Sequence, residues 1–195
     1  MVVKMPRHKT LSDEAVLEAA LKLLHSKGPE ALTFAGLAQA CGLAAATLVQ
    51  RFGSKVHLKQ AALLYAWDRL DEKTTQLAAR ASRTPEGAID LLVALSGDYG
   101  GIESYAEGLL ILREDLRDPL LRARGARWRA VLVGVLDACL AKQSDGQAGL
   151  GQLMASQWQG SLAWWGFEPK CSIADQVGCD LRHFMAALQH RRMGA

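Results

Sequence analysis

Catalysis or metal binding in this 195-residue chain would have to draw on four cysteines, five histidines and twenty acidic side chains. Cys41, Cys139, Cys171 and Cys179 form no C-x-x-C pair, and no His-x-x-x-His lies near them, so no zinc site is expected. His8, His25, His57, His183 and His190 are scattered. There is no G-x-S-x-G, no Gly-rich phosphate loop and no strand-like alternation that could hold a nucleophile. The expectation is a protein that is not an enzyme and needs no metal or cofactor. Its thiols are expected to be reduced and packed in the helices of a cytoplasmic protein, because paired disulfides belong to small secreted domains.

The chemistry lies instead between Phe34 and Phe52. Leu37, Ala38 and Cys41 put apolar groups on one face of a short helix, and small Ala38 lets a second helix approach. Gly42 stands where a tight turn needs a positive φ. Leu43 and Leu48 then face back, leaving the other face of the second helix free to enter a major groove. A plain helical hairpin has the same spacing, so the pattern alone leaves both readings open. Charge points toward a polyanion: residues 1–60 hold eight Lys and Arg against four Asp and Glu, whereas the remainder holds 15 against 16.

The elements that must position this segment read as helices nearly throughout. Ser12 opens a first helix that Gly28-Pro29 stops. Thr33 opens a second, through Cys41. A third runs over about Ala44–Arg51, and Gly53-Ser54 caps a long fourth that reaches about Arg80. Thr84-Pro85, the Gly100-Gly101 break, Pro119, the Ser144-Asp145-Gly146 loop and Gly166–Lys170 separate five more. The fold expected is all-α with about nine helices: a three-helix DNA-binding domain at 1–55, then a helical bundle at 56–195 that shares the fourth helix. No apolar run approaches the roughly 20 residues of a membrane span, no membrane partner is expected, and the short basic start, Met1–Thr10, carries no secretory pattern.

The stretch Thr33–Leu58 resembles the signature of the TetR family of regulators at Thr33, Leu37-Ala38, Gly42, Thr47-Leu48, Phe52 and Gly53-Ser54-Lys55. The resemblance covers about residues 12–60. It implies a sequence-specific DNA-binding transcriptional regulator, by the family's usual mode a repressor released from its operator by a small molecule. Thr33 and Thr47 would donate hydroxyl bonds to phosphates, and Lys55 would sit beside one. Ala45, Ala46 and Thr47 occupy the family's base-reading face, with Val49, Gln50 and Arg51 one turn further on. Three positions depart from the pattern. Ala44 replaces a capping serine, Val49 a tyrosine that reaches the DNA backbone, and Arg51 a common histidine. Modest direct readout is therefore expected, carried by Gln50 or Arg51, with DNA shape supplying much of the rest. The basic leader Lys4, Arg7, His8 and Lys9 is either an idle tail or an arm that adds DNA contacts.

In such regulators helices 4 to 7 enclose a ligand and helices 8 and 9 form a homodimer. Trp67, Tyr99, Tyr105 and Trp128 are the pocket candidates, with core packing as the competing reading. Leu150, Met154, Trp158, Trp165, Val177, Leu181 and Phe184 are the dimer candidates, an internal core being the alternative. The run Arg113, Arg117, Arg122, Arg124, Arg127 and Arg129 reads as a solvated face, some of it salt-bridged by Glu114, Asp115 and Asp118, with an anion-binding patch as the alternative. The expected partners are thus an operator in duplex DNA, a second copy of the chain and an unidentified small molecule. The rival is a helical ligand-binding or dimerisation protein that has lost DNA binding.

Overall fold

The computed structural model describes residues 11–97, 101–143 and 149–193, with residues 189–193 described as backbone only. The described residues form nine α-helices and no strand: α1 Asp13–Lys27, α2 Phe34–Cys41, α3 Ala45–Phe52, α4 Lys55–Arg80, α5 Pro85–Ser96, α6 Ile102–Arg117, α7 Pro119–Leu140, α8 Leu150–Phe167 and α9 Ile173–Met193. Short 3-10 turns follow α1 and α7. The chain forms two compact units that divide between Ala66 and Trp67, inside α4. Among the described residues no helix is long and apolar enough to cross a membrane, and no group of three or more His, Cys, Asp or Glu could hold a metal ion.

In the N-terminal unit α1, α2 and α4 start where a side chain, of Ser12, Thr33 or Ser54, satisfies an orphan amide. Ser12 Oγ accepts from Ala15 N at 3.2 Å, and Asp13 and Glu14 in the first turn meet the positive end of the helix dipole. Gly28, at φ 75°, and Pro29 end α1. Val16, Ala20, Leu21 and Leu24 recur at helical spacing and are buried, together with Leu32, Leu37, Leu48, Leu58 and Ala62. Each fully buried leucine contributes roughly 1.5–3 kcal/mol, so this small core suffices to hold three short helices and the start of α4.

The C-terminal unit is built around α5, α7, α8 and α9. Thr84 caps α5 through Gly87 N, and Asp118 caps α7 by accepting from Leu120 N at 2.8 Å and Leu121 N at 3.4 Å. Its core unites Leu92, Leu132, Leu136, Met154, Val177 and Leu181. Two indoles are tied into it: Trp128 Nε1 donates to Thr74 Oγ1 and Trp158 Nε1 to Ser96 Oγ, both at 2.9 Å.

Three expectations change here. Met154, Trp158, Trp165, Val177 and Leu181 are buried in the chain's own core, and Leu150 and Phe184 pack against it. The apolar stripe marked for a partner is the one α8 and α9 turn toward each other and toward α5 and α7. Arg124 passes over the nearby acids and pairs with Asp68 at 3.0 Å and with Asp71, both on α4. Asp118 serves as the α7 cap, and Arg113 pairs with Glu114 at 3.9 Å.

Candidate nucleic-acid interface and ligand cavity

The turn between α2 and α3 has the geometry that Gly42 predicts. Gly42 lies at φ 65°, ψ 32°, its N–H donates to Ala38 O, and Leu43 N donates to the same carbonyl at 3.1 Å. A side chain at this left-handed position would cost roughly 1–2 kcal/mol. Leu37 and Leu48, both fully buried, lock α2 to α3. With Leu48 turned inward, Ala45, Ala46, Val49 and Gln50 form one exposed face of α3. Ala44 caps α3 without a side-chain hydrogen bond, as its type requires.

The polar residues around this face differ in how they are engaged. Thr33 Oγ1 accepts from Gly36 N at 3.0 Å, which leaves its O–H proton to donate outward. Thr47 is half-buried. Lys55 Nζ lies 3.6 Å from Glu30 Oε2 and donates to Glu30 O at 3.4 Å. Such an exposed pair is worth roughly 0–1 kcal/mol, little for a phosphate to displace.

Arg51 is another matter. Its Nη1 donates to Leu11 O at 2.8 Å and to Asp13 Oδ1 at 3.4 Å, and its side chain is 23% exposed. It ties the end of α3 to the start of α1, so it is a positioning residue, and Gln50 is the exposed one of the two expected base readers. Arg51→Gln should therefore lower the stability of the N-terminal unit by roughly 1–2 kcal/mol. It should also weaken DNA binding without altering base preference. Thermal melts and a base-preference selection on the variant check this; a changed preference at one base pair would return Arg51 to the reading face.

The C-terminal unit holds a cavity of about 590 Å³. Trp67, Asp115, Gly125, Trp128, Gln152 and Trp158 are among its walls. Of the four pocket candidates, Trp67 and Trp128 stand in this wall. Tyr105 is not: it is buried in the core with its ring edge-on to Trp165, centroids 5.6 Å apart. Tyr99, like the leader Lys4, Arg7, His8 and Lys9, lies outside the described residues. Trp158 was expected at a dimer interface and stands instead in the cavity wall.

Asp115 is the residue that the sequence reading gave another role. Its Oδ1 accepts from Trp67 Nε1 at 3.2 Å. Burial pushes its carboxyl up to about 6; the Trp67 N–H pulls it back, and Asp118 and Glu114 push it up again. A signal was available, since positions 111, 112, 118 and 119 are Ile, Leu, Asp and Pro, leaving no cation one helical turn away. The folded unit binds this proton more tightly than the unfolded chain does. The stability it lends is full below about pH 4 and is lost as pH rises through about 6. Asp115→Asn keeps an acceptor for Trp67. It should melt with the parent near pH 4 and a few degrees above it at pH 7.5, as scanning calorimetry at the two pH values would read. An equal difference at both would sink the assignment.

The fold and this geometry define a class, a helix-turn-helix module joined to a helical unit with a partly open pocket. Residues 16–62 match the family model described as bacterial regulatory proteins, tetR family. The HTH-type transcriptional repressor KstR of Mycolicibacterium smegmatis is 36% identical over 78 residues, which span 40% of this chain and 38% of that repressor's length. A putative TetR-family transcriptional regulator from Rhodococcus sp. superposes with a TM-score of 0.64 at 19% identity, over 90% of this chain and 97% of that one. A putative transcriptional regulator from Saccharomonospora viridis, crystallised with choline, superposes with a TM-score of 0.68 at 20% identity, over 88% and 93%. The N-terminal segment belongs to the TetR family of bacterial regulators, and the chain has the fold of those proteins.

Proposed function

We propose that this chain is a transcriptional repressor that binds an operator in duplex DNA as a homodimer and is released by a small-molecule ligand. The observation that carries this reading is the uncovered face of α3, with Ala45, Ala46, Val49 and Gln50 outward and Leu48 holding the helix from behind. A major groove admits one such helix. The methyls of Ala45 and Ala46 suit thymine methyls, and the Gln50 amide can both donate to and accept from an adenine edge. Thr33, Thr47 and Lys55 would meet phosphates, which fix register without reading sequence. With one amide and several methyls for direct readout, groove shape and half-site spacing carry the remaining specificity.

A partner copy would meet the outward side of α8. Leu153, Gln157, Gly160, Trp164 and Phe167 stand alternately four and three residues apart, the spacing of helices packed in a bundle. Leu153, Trp164 and Phe167 are 54%, 73% and 80% exposed, far more than single apolar surface residues require. The outward residues of α9, such as Cys179 and Ala186, would complete a four-helix interface. The choline complex of the Saccharomonospora viridis regulator supports a small-molecule ligand for a protein of this fold. Because α4 is common to both units, a ligand that favours one separation of the two α3 helices would lower DNA affinity by the ratio of its affinities for the two states.

The test is selection of bound fragments from genomic DNA, followed by salt-dependent gel shifts and light scattering of the protein alone. A palindromic consensus bound by a dimer is expected. A dimer that retains no fragment at low salt would make the protein a ligand-binding module without DNA binding.

A further inference from the structure

The cavity wall combines two features that call for opposite ligands unless the ligand is a cation. Its aromatic part is three tryptophans, Trp67 and Trp128 with centroids 5.8 Å apart, Trp128 and Trp158 with centroids 6.3 Å apart. Every one of their indole N–H groups is already committed inside the protein, to Asp115, Thr74 and Ser96. What they have left to offer is ring surface, which is apolar and carries a negative quadrupole. The acidic group in the wall is Asp115, whose one hydrogen bond among the described residues comes from Trp67 and which has no ion-pair partner there. A carboxylate half out of water without a counter-ion is costly, and a neutral apolar ligand filling the cavity would deepen that cost.

The other charges near the cavity do not neutralise it. Arg122 and Arg129 stand in its wall, both exposed; Arg122 Nη1 donates to Leu116 O at 2.8 Å and Arg129 Nη2 to Gln152 Oε1. On α4, Asp68 and Asp71 take up Arg124. On α6 and at the start of α7, the groups nearest Asp115 are Glu114 and Asp118, both acidic. On α8, Gln152, Ser156 and Gln159 are neutral.

We infer that the cavity is a site for an organic cation, an amine or quaternary ammonium set against Asp115, with its apolar body lying among Trp67, Trp128 and Trp158. The inference rests on the reading of the C-terminal unit as a ligand-binding unit and names the ligand's chemistry. The volume of about 590 Å³ lies within the roughly 300–1,000 Å³ of small-molecule sites and suits a ligand larger than the ammonium group alone. Gly125 helps to shape the site, because a Cβ there would come within 3.0 Å of the Trp67 ring.

The experiment is calorimetric titration of the full chain, without DNA, at pH 7.5. Three probes share a benzyl group: benzyltrimethylammonium, its uncharged carbon analogue neopentylbenzene, and phenylacetate. The cation should bind at least about tenfold more tightly than the other two. Asp115→Asn, which can still accept from Trp67, should remove about tenfold of that preference while melting no lower than the parent. Arg122→Ala should leave the cation's affinity within about twofold. Equal binding of cation and carbon analogue, or a preference for the cation unchanged in Asp115→Asn, would overturn the inference. So would tighter binding of phenylacetate that is lost in Arg122→Ala, which would make this a carboxylate site. None of these outcomes depends on DNA, so failure of the cation preference and failure of the regulator reading are separate results.

Discussion

Ala46→Glu should abolish operator binding, by at least about 100-fold, while the N-terminal unit melts no lower than the parent. Ala46 is exposed in the first turn of α3 and anchors nothing. A glutamate in that turn meets the positive end of the helix dipole, which favours the helix by roughly 0.3–1 kcal/mol. The same carboxylate, carried into a groove walled by phosphates, meets repulsion and displaces the close contact that alanine allows. Stability and affinity should therefore move apart, which a folding defect cannot produce. Anisotropy titrations on a selected fragment, beside far-ultraviolet melts, read both. Affinity within about threefold of the parent would mean that α3 is not the element in the groove.

The second large effect is in the C-terminal unit. A Cβ on Gly151 would stand 2.7 Å from both Asp137 N and Val133 O, which are backbone atoms of α7 and cannot rotate aside. Gly151 N also donates to Asp137 Oδ1 at 2.7 Å, so α7 and α8 meet here backbone to side chain with no room between them. Gly151→Ala must push the helices apart and loosen Met154, Ala155 and Trp158 against Leu132 and Leu136. The expected loss is roughly 3 kcal/mol, or roughly 6–12 °C in melting temperature. Gly134→Ala, also on α7, is the matched control: its Cβ meets nothing within 4 Å, so it should gain about 0.5–1 kcal/mol from helix propensity. Denaturant titrations of the two variants should change in opposite directions; a shared sign would show that propensity, not the α7–α8 approach, governs Gly151.

The elements with local signals were legible in the sequence. Ser12, Thr33 and Thr84 each satisfy an amide three residues on, so capping chemistry shows in the order of residues. Gly42 was equally readable, because the turn's positive φ has one inexpensive occupant. What sequence could not show was long-range. Arg51 finds its acceptor 40 residues away at Leu11 O, and Trp67 finds Asp115 48 residues away. Helix α8 misled for a different reason. It carries two apolar stripes, Met154, Trp158 and Trp165 inward and Leu153, Trp164 and Phe167 outward. Periodicity reports that a helix has an apolar face but not which neighbour covers it, and with two faces the choice is undetermined until α5, α7 and α9 are in place.

The placement of the five tryptophans has a practical consequence. All of them, Trp67, Trp128, Trp158, Trp164 and Trp165, fall in the C-terminal unit. Indole emission excited near 295 nm, where tyrosine hardly absorbs, therefore reports chiefly on the C-terminal unit. A loss of ellipticity that precedes any change in emission would register the N-terminal unit melting first, so two optical signals from the unlabelled chain can resolve the order in which its halves come undone.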